Sequence, residues 1–179
     1  MIVIKQACAF FLSKVEQHSY IKHNLLDSIK SMGIHSAIDE NQKISNLDFH
    51  LSPNHKRPYY SLVEPIFRSH LSKLVDALKY KDADIDELAI NNCWFQQYET
   101  GDYHKWHIHN GSIYSNVYYV ELPNGASKTS FKLIDEIYTV DVEEGDILSF
   151  PAALMHCSSI NLSESRKTVI AFDTTSVKL

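Results

Sequence analysis

Three histidines stand at spacings that suit a metal ion. His107 and His109 are separated by one residue in YHKWHIHNGS, and His156 follows the apolar stretch GDILSFPAALM. Side chains alternate along a strand, so an extended segment 105–109 points both imidazoles of the pair to one face. His156 directed at the same point completes a facial site with open coordination positions. The same pattern also fits half-exposed histidines and a hydrogen-bonded core histidine that hold no metal.

An arginine opens the last apolar stretch of the chain. Arg166 stands at the start of RKTVIAFD and shares its parity with Thr168, Ile170 and Phe172. If Ile170 and Phe172 face the core, the two polar residues face the same interior near its mouth. A buried guanidinium needs a partner, and the carboxylate of a small ligand matches its fork. The alternative is an arginine at the strand end, in solvent or paired with Glu164.

Aromatic residues surround the histidine pair in the sequence. Tyr98, Tyr103 and Tyr119 lie on or beside the flanking apolar stretches, and a buried tyrosine hydroxyl can bind a carboxylate. Tyr103 and Trp106 are candidates for the wall of a substrate pocket. Cys157 follows His156 directly, but adjacent strand residues face opposite ways, so a Cys/His nucleophile pair is not expected.

The elements that must position these residues are strands. Apolar and aromatic stretches cover 88–98, 113–122, 129–134, 136–142, 146–150 and 167–173. Turns are predicted between them at Gly101, Gly111, Gly125 and Gly145, each beside a polar residue. Short strands at short intervals predict an antiparallel sandwich or barrel.

The first half of the chain has a helical pattern instead. Apolar residues recur at helical spacing over 8–32 and again over 60–80, with an irregular polar stretch at 34–58 between them. The prediction is one α+β domain over 1–179, mainly β, with a helical N-terminal region at 1–86 and a β core at 87–179.

Composition excludes some classes of protein. The chain has 179 residues and a formal net charge of −5, with 17 basic against 22 acidic residues, so broad nucleic-acid binding is not expected. No apolar run reaches the roughly 18 residues of a membrane span, so no membrane partner is expected. Cys8, Cys93 and Cys157 form no CxxC pattern and no secretory signal precedes them, which predicts free thiols and a cytoplasmic location.

Taken together, these motifs resemble the Fe(II)/2-oxoglutarate-dependent dioxygenases, in particular the small prolyl-4-hydroxylase-like and 2OG-Fe(II) oxygenase branches, which include members from bacteria and phages. The resemblance spans roughly residues 88–175. It lies in WFQQYETGDYHKWHIHNGSIYSNVYYV, then GDILSFPAALMHCSS, then SESRKTVIAFD. It implies a double-stranded β-helix, or jelly roll, with helices buttressing one sheet.

The resemblance also implies a reaction and its partners. Fe(II), 2-oxoglutarate and O₂ would be the cofactors. The enzyme would oxidatively decarboxylate 2-oxoglutarate to succinate and CO₂. It would hydroxylate an unactivated C–H of a prime substrate, either a peptide or protein side chain or a small metabolite.

Individual roles follow from the same resemblance. The three histidines would hold Fe(II), and Arg166 would bind the distal carboxylate of 2-oxoglutarate. Thr168, Tyr98 and Tyr119 match positions that assist cosubstrate binding.

One position departs from the family pattern, in which the second metal ligand is Asp or Glu. Position 109 is histidine, so three neutral imidazoles leave the site one negative charge short, and Zn, Ni or Cu compete better with Fe(II). Two other hypotheses stay open. One is a cupin-like metal enzyme with a three-histidine site and no 2-oxoglutarate. The other is an inactive jelly-roll binding module.

Overall fold

The computed structural model describes residues 9–52, 55–79, 85–134 and 136–177. In chain order the elements of the first part are β1 (Phe11–Lys14), α1 (His18–Lys30), β2 (Ala37–Ile38), β3 (Gln42–Ile44), β4 (Asn46–Leu47) and α2 (Tyr60–Lys79). The second part contains β5 (Glu87–Tyr98), β6 (Tyr103–His107), β7 (Tyr114–Glu121), β8 (Thr129–Lys132), β9 (Ile137–Thr139), β10 (Asp146–Pro151), β11 (His156–Ser158) and β12 (Lys167–Val177).

The strands form two antiparallel sheets of six. The first sheet has the order β1-β10-β7-β12-β5-β4, and the second has the order β2-β3-β6-β11-β8-β9. Consecutive strands often lie in different sheets, so the chain crosses between the layers repeatedly. This arrangement confirms the predicted jelly roll.

The first sheet is buried on both faces. On one face it packs against α1 and α2, where Leu25 and Phe67 of the helices join Tyr118, Ile170 and Phe172 of the sheet. On the other face it packs against the second sheet. Tyr98, Tyr119 and Val169 lie there beside Phe131 and Ile44 of the opposite layer. The helices therefore buttress one sheet, as predicted.

The alternation along β12 divides its side chains between these two cores. Ile170 and Phe172 lie in the helix-covered core, whereas Val169 lies in the core between the sheets. Residues of even number on this strand therefore face the helices. Lys167, with the parity of Val169, faces the space between the sheets.

The N-terminal region contains strands that the helical pattern did not predict. Residues 11–14 form β1, which pairs with β10 so that Phe11 stands opposite Ser149, and α1 begins only at His18. Segment 34–58 contributes β2, β3 and β4, which extend both sheets. In these segments, backbone pairing with strands distant in the sequence determined the structure, and the local spacing of apolar residues did not. The second helix is confirmed as α2 over Tyr60–Lys79.

The predicted strands of the second half are confirmed, and so are the turns. Gly111, at φ +83°, reverses the chain directly after the histidine pair, in a conformation that a side chain would strain. No helix within the described ranges is both long enough and apolar enough to cross a bilayer. Cys93 and Cys157 are free and buried, while Cys8 lies outside the described residues.

We expect Phe67→Ala to lower the free energy of unfolding by about 3–5 kcal/mol, because it empties a fully buried site on α2. The Phe67 ring stacks on Phe172 with centroids 3.9 Å apart. Urea denaturation measures the change, and Tyr20→Ala, at a side chain 83% exposed, is the control with an effect within about 0.5 kcal/mol. A loss below about 1 kcal/mol in Phe67→Ala would contradict the packing of α2 on the sheet.

Candidate active site between the two sheets

The structure brings the three predicted histidines together. His107 on β6 stands directly opposite His156 on β11 in the antiparallel register, and their ring centroids are 4.2 Å apart. His109 lies just beyond β6, where its backbone N–H donates to the carbonyl of Ala152 at 3.0 Å. One nitrogen from each ring lies within 4.8 Å of the other two. The three side chains thus form one potential metal site.

The hydrogen bonds of the rings decide which nitrogen faces that site. Nδ1 of His107 donates to the carbonyl of Lys105 at 2.7 Å, and Nδ1 of His156 donates to that of Leu154 at 2.9 Å. Nδ1 of His109 donates to a carboxylate. Because each Nδ1 carries its proton toward a protein acceptor, each Nε2 keeps a lone pair for a metal ion.

Burial keeps the imidazoles of His107 and His156 neutral. Desolvation lowers the pKa of His107 and lowers that of His156 to about 3. Neutral imidazoles bind a metal without first losing a proton. Metal–imidazole bonds of roughly 2.1 Å bring ligand nitrogens to within roughly 4.2 Å of each other, so small shifts suffice to close the site on an ion. The residues therefore fit a divalent transition metal.

The acceptor of His109 is Asp173, a residue that the sequence analysis did not single out. Both carboxylate oxygens lie near His109 Nδ1, at 2.8 and 2.9 Å. Ser115 on β7 donates to the same carboxylate at 2.7 Å. His109 thus follows a strand of the second sheet but is anchored by side chains of the first.

A narrow cavity of about 50 Å³, the inner cavity, lies between the sheets beside the histidines. Its lining includes all three histidines, Tyr98, Phe150 and the side chain of Lys167. A wider space of about 750 Å³, the outer groove, shares His107, His109 and Trp94 with it.

Lys167 is the cation of the inner cavity. It is 2% exposed, and its ammonium donates to the carbonyl of Ser127 at 3.0 Å and to Ser158 Oγ at 2.6 Å. Its Nζ lies 4.0 Å from the centroid of the Tyr98 ring. It makes no ion pair with any residue in the described ranges. Burial without a counter-charge lowers the pKa of Lys167 to about 7.

Arg166 does not lie where the sequence predicted. Its guanidinium donates twice to Glu121, at 3.0 and 3.2 Å, and lines neither the inner cavity nor the outer groove. Thr168 Oγ1 also donates to Glu121. The parity argument was correct in grouping both residues with Ile170, but that face of β12 packs toward the helices.

The tyrosines and the tryptophan are divided in the same way. Tyr98 lines the inner cavity, while Tyr119 is buried beside it and its hydroxyl lies 2.8 Å from Oγ1 of Thr129, a lining residue. Tyr103 and Trp106 line neither space, and Trp106 is 39% exposed. Trp94 takes the expected place instead, with its ring centroid 5.5 Å from that of His109.

Sequence signals for the missed residues existed. Lys167 and Asp173 are charged residues at the two ends of the apolar stretch KTVIAFD and share one parity. The same parity as Val169 directs them between the sheets. A fourth histidine, His104, stacks on His107 with centroids 3.9 Å apart, and burial lowers its pKa to about 3.

Comparison with known proteins agrees with this geometry. Residues 92–136, which contain the histidine pair, match the family model described as "Putative 2OG-Fe(II) oxygenase". No curated protein sequence matches the chain.

Solved structures resemble the chain along most of its length. One is the viral collagen prolyl hydroxylase of Paramecium Bursaria Chlorella virus-1 in its 2OG complex. It is 14% identical with a TM-score of 0.62, covering 93% of this chain and 96% of the viral one. Another is a Pseudomonas putida prolyl-4-hydroxylase, 10% identical with a TM-score of 0.66, covering 94% and 93%.

A third is HygX from Streptomyces hygroscopicus with nickel and 2-oxoglutarate bound, 12% identical with a TM-score of 0.64, covering 95% and 84%. At these identities the structural likeness shows the fold. Residues 92–136 therefore match the sequence pattern of the 2OG-Fe(II) oxygenase family model, and the chain has the fold of solved 2OG oxygenases, which confirms the resemblance drawn from the sequence.

We expect the protein to bind Mn(II) or Ni(II), and His107→Ala or His156→Ala to abolish that binding, since each removes a ligand nitrogen. The loss should exceed the roughly 10–100-fold cost of losing a group that only supports a ligand. Thermal unfolding with and without metal measures it. His23→Ala, at a side chain 85% exposed on α1, is the control that should bind like the parent. Equal metal-induced stabilisation of all variants would contradict the site.

Proposed function

We propose that the protein is an Fe(II)- and 2-oxoglutarate-dependent oxygenase. It would hydroxylate a C–H bond of a peptide side chain or small metabolite and release succinate and CO₂. One observation carries the proposal. A single cavity is lined by three histidines whose Nδ1 atoms are bound to protein acceptors and by a buried lysine without a counter-charge. The first group suits a divalent metal, and the second suits the free carboxylate of a dicarboxylic acid.

His107, His109 and His156 would hold the iron through Nε2. Bound iron would supply the redox chemistry with O₂ and 2-oxoglutarate. The contribution of the chain is to orient the imidazoles through their Nδ1 hydrogen bonds and to keep the reacting groups away from water. Phe150, with its ring centroid 4.7 Å from that of His156, contributes an apolar wall.

Lys167 replaces Arg166 as the residue that would bind the distal carboxylate. Ser127 and Ser158 already accept its protons, so a carboxylate entering here would find an oriented ammonium with hydroxyl groups beside it. The inner cavity at about 50 Å³ has room for roughly three water molecules. Lys167 and its neighbours must therefore shift to admit the cosubstrate, which the flexible stem of lysine allows.

The outer groove would hold the prime substrate. Among its described lining residues, the two charged side chains already have partners in the protein. Arg57 donates to Asp48 at 2.8 Å, and Asp173 accepts from His109. The remaining polar lining consists mostly of neutral amides and histidines, including Gln42, Asn91, Asn92, Gln96 and Asn110. Amides that donate and accept, beside the aromatic face of Trp94, favour an uncharged polar substrate.

We also propose a cytoplasmic location. The buried free thiols of Cys93 and Cys157 support it, because free cysteines persist in a reducing compartment.

Direct binding and turnover test the proposed function. Trp94 is expected to report binding of Mn(II) followed by N-oxalylglycine as a change in fluorescence, since it lines both spaces. With Fe(II), neutral peptides and metabolites would be screened for succinate release and for gain of one oxygen atom. Metal-dependent activity without 2-oxoglutarate would favour the cupin-like alternative. Failure to bind metal and N-oxalylglycine would favour a binding module.

We expect Lys167→Met to weaken binding of 2-oxoglutarate to the Mn(II)-loaded protein by about 10–100-fold, the worth of a hydrogen bond to a charged group. Arg166→Met is the matched control and should change the affinity less than about twofold, because Arg166 binds Glu121. Calorimetric titration measures both.

The pH dependence of the same titration identifies the lysine. A bound carboxylate favours the ammonium form, so binding takes up protons and the affinity falls as pH rises above about 7, the pKa of Lys167 in the free protein. Lys167→Arg keeps its charge and should remove this decline. A loss of affinity in Arg166→Met with none in Lys167→Met would return the role to the arginine.

A further inference from the structure

We propose that Asp173 supplies the negative charge of the metal site through the imidazole of His109. The inference rests on the proposed function, since it concerns the ion that the three histidines would hold. Asp173 is 6% exposed, and both of its carboxylate oxygens lie within 2.9 Å of His109 Nδ1. It would be a positioning residue, acting on the metal through a ligand without touching it.

The carboxylate is held in a defined orientation. Asp173 lies on β12 and Ser115 on the adjacent strand β7, and the two residues stand opposite each other in the register. Ser115 Oγ donates to Asp173 Oδ1 at 2.7 Å and lies 3.0 Å from His109 Nδ1. Two neighbouring strands of the first sheet therefore fix the imidazole of a residue that follows the second sheet. The proton on Nδ1 leaves Nε2 as the only ring nitrogen available to a metal.

Among the described residues, no permanently charged cation lies beside Asp173. Its partners within the described ranges are the imidazole and the hydroxyl, and it pairs with no lysine or arginine there. A buried carboxylate with no fixed positive charge beside it is costly. A divalent ion bound to Nε2 of His109 would compensate the charge of Asp173 through the imidazole ring. The carboxylate would in turn make Nε2 a stronger electron donor to the metal.

Asp173 would supply the negative charge that a site of three histidines lacks. Three neutral imidazole ligands do not reduce the charge of a divalent ion, whereas Asp173 would lower the net charge of the ion and its surrounding side chains by one. If the same hydrogen bonds had only a structural role, they would join the two sheets. Their removal would then lower the stability of the metal-free protein without changing the metal affinity specifically.

Asp173→Asn separates these roles, because the amide keeps an acceptor oxygen of the same shape and removes the charge. We expect its dissociation constant for Mn(II), measured by electron paramagnetic resonance of the free ion, to rise about 10–100-fold. Asp141→Asn is the matched control, with the same change of charge at an exposed carboxylate that pairs with Lys128 and lines neither the inner cavity nor the outer groove. Its constant should stay within about twofold of the parent. Thermal unfolding of each metal-free variant shows whether folding is intact.

A second substitution tests the charge itself. His109→Asp in the Asp173→Asn background returns a carboxylate directly to the ligand position and should regain at least about tenfold in Mn(II) affinity. If it does not, or if Asp173→Asn binds Mn(II) as tightly as the parent, the proposal is overturned. Should Asp173→Asn fail to fold, Ser115→Ala should weaken Mn(II) binding several-fold, and no change would likewise overturn the proposal. A parent protein that binds no divalent metal would instead refute the proposed function.

Discussion

Burial of polar groups between the two sheets is the constraint on which the site depends. A polar atom removed from water must find a partner or the fold loses stability. His107 and His156 meet this demand with backbone carbonyls two residues away, which leaves the outward nitrogen of each ring unused. Lys167 meets it with a carbonyl and two hydroxyl groups, and so keeps no opposite charge. These hydrogen bonds satisfy the buried groups within the protein. They also leave the second nitrogen of each ring and the charge of Lys167 available to ligands.

The histidine group could be predicted from the sequence because two local rules suffice for it. Alternation along a strand places His107 and His109 together, and an apolar stretch before His156 directs that residue inward. The carboxylate-binding residue could not be predicted in this way. On β12 both faces are buried, so alternation groups Arg166 with Ile170 and Lys167 with Val169 without saying which group faces the site. The decision depends on where the helices pack, which is a property of the whole fold.

The N-terminal strands show a second limit of local patterns. Phe11–Lys14 continues an amphipathic pattern that fits a helix equally well, and only the pairing of Phe11 with Ser149 makes it a strand. Likewise β3 is a short polar segment that becomes ordered by pairing Gln42 with His104 on β6. β1 is an edge strand and β3 lies next to the edge strand β2, and such short strands bury little of their own surface. Their conformation therefore follows from the backbone groups that an existing sheet offers them.

The charged and neutral groups of the site are divided between the two sheets. Lys167 and Asp173 both lie on β12, a central strand of the first sheet, whose other face is covered by α1 and α2. His107 and His156 lie on the second sheet, whose core partners among the described residues include no helix. Packing on both faces holds β12 in one position and excludes water from its side chains, so a charge placed there interacts strongly with its surroundings. His109 joins the two layers, since its backbone follows β6 while its imidazole is bound by Asp173. The geometry of the three histidines is therefore coupled to the packing of one sheet on the other, and a shift between the layers would move His109 relative to the other two histidines.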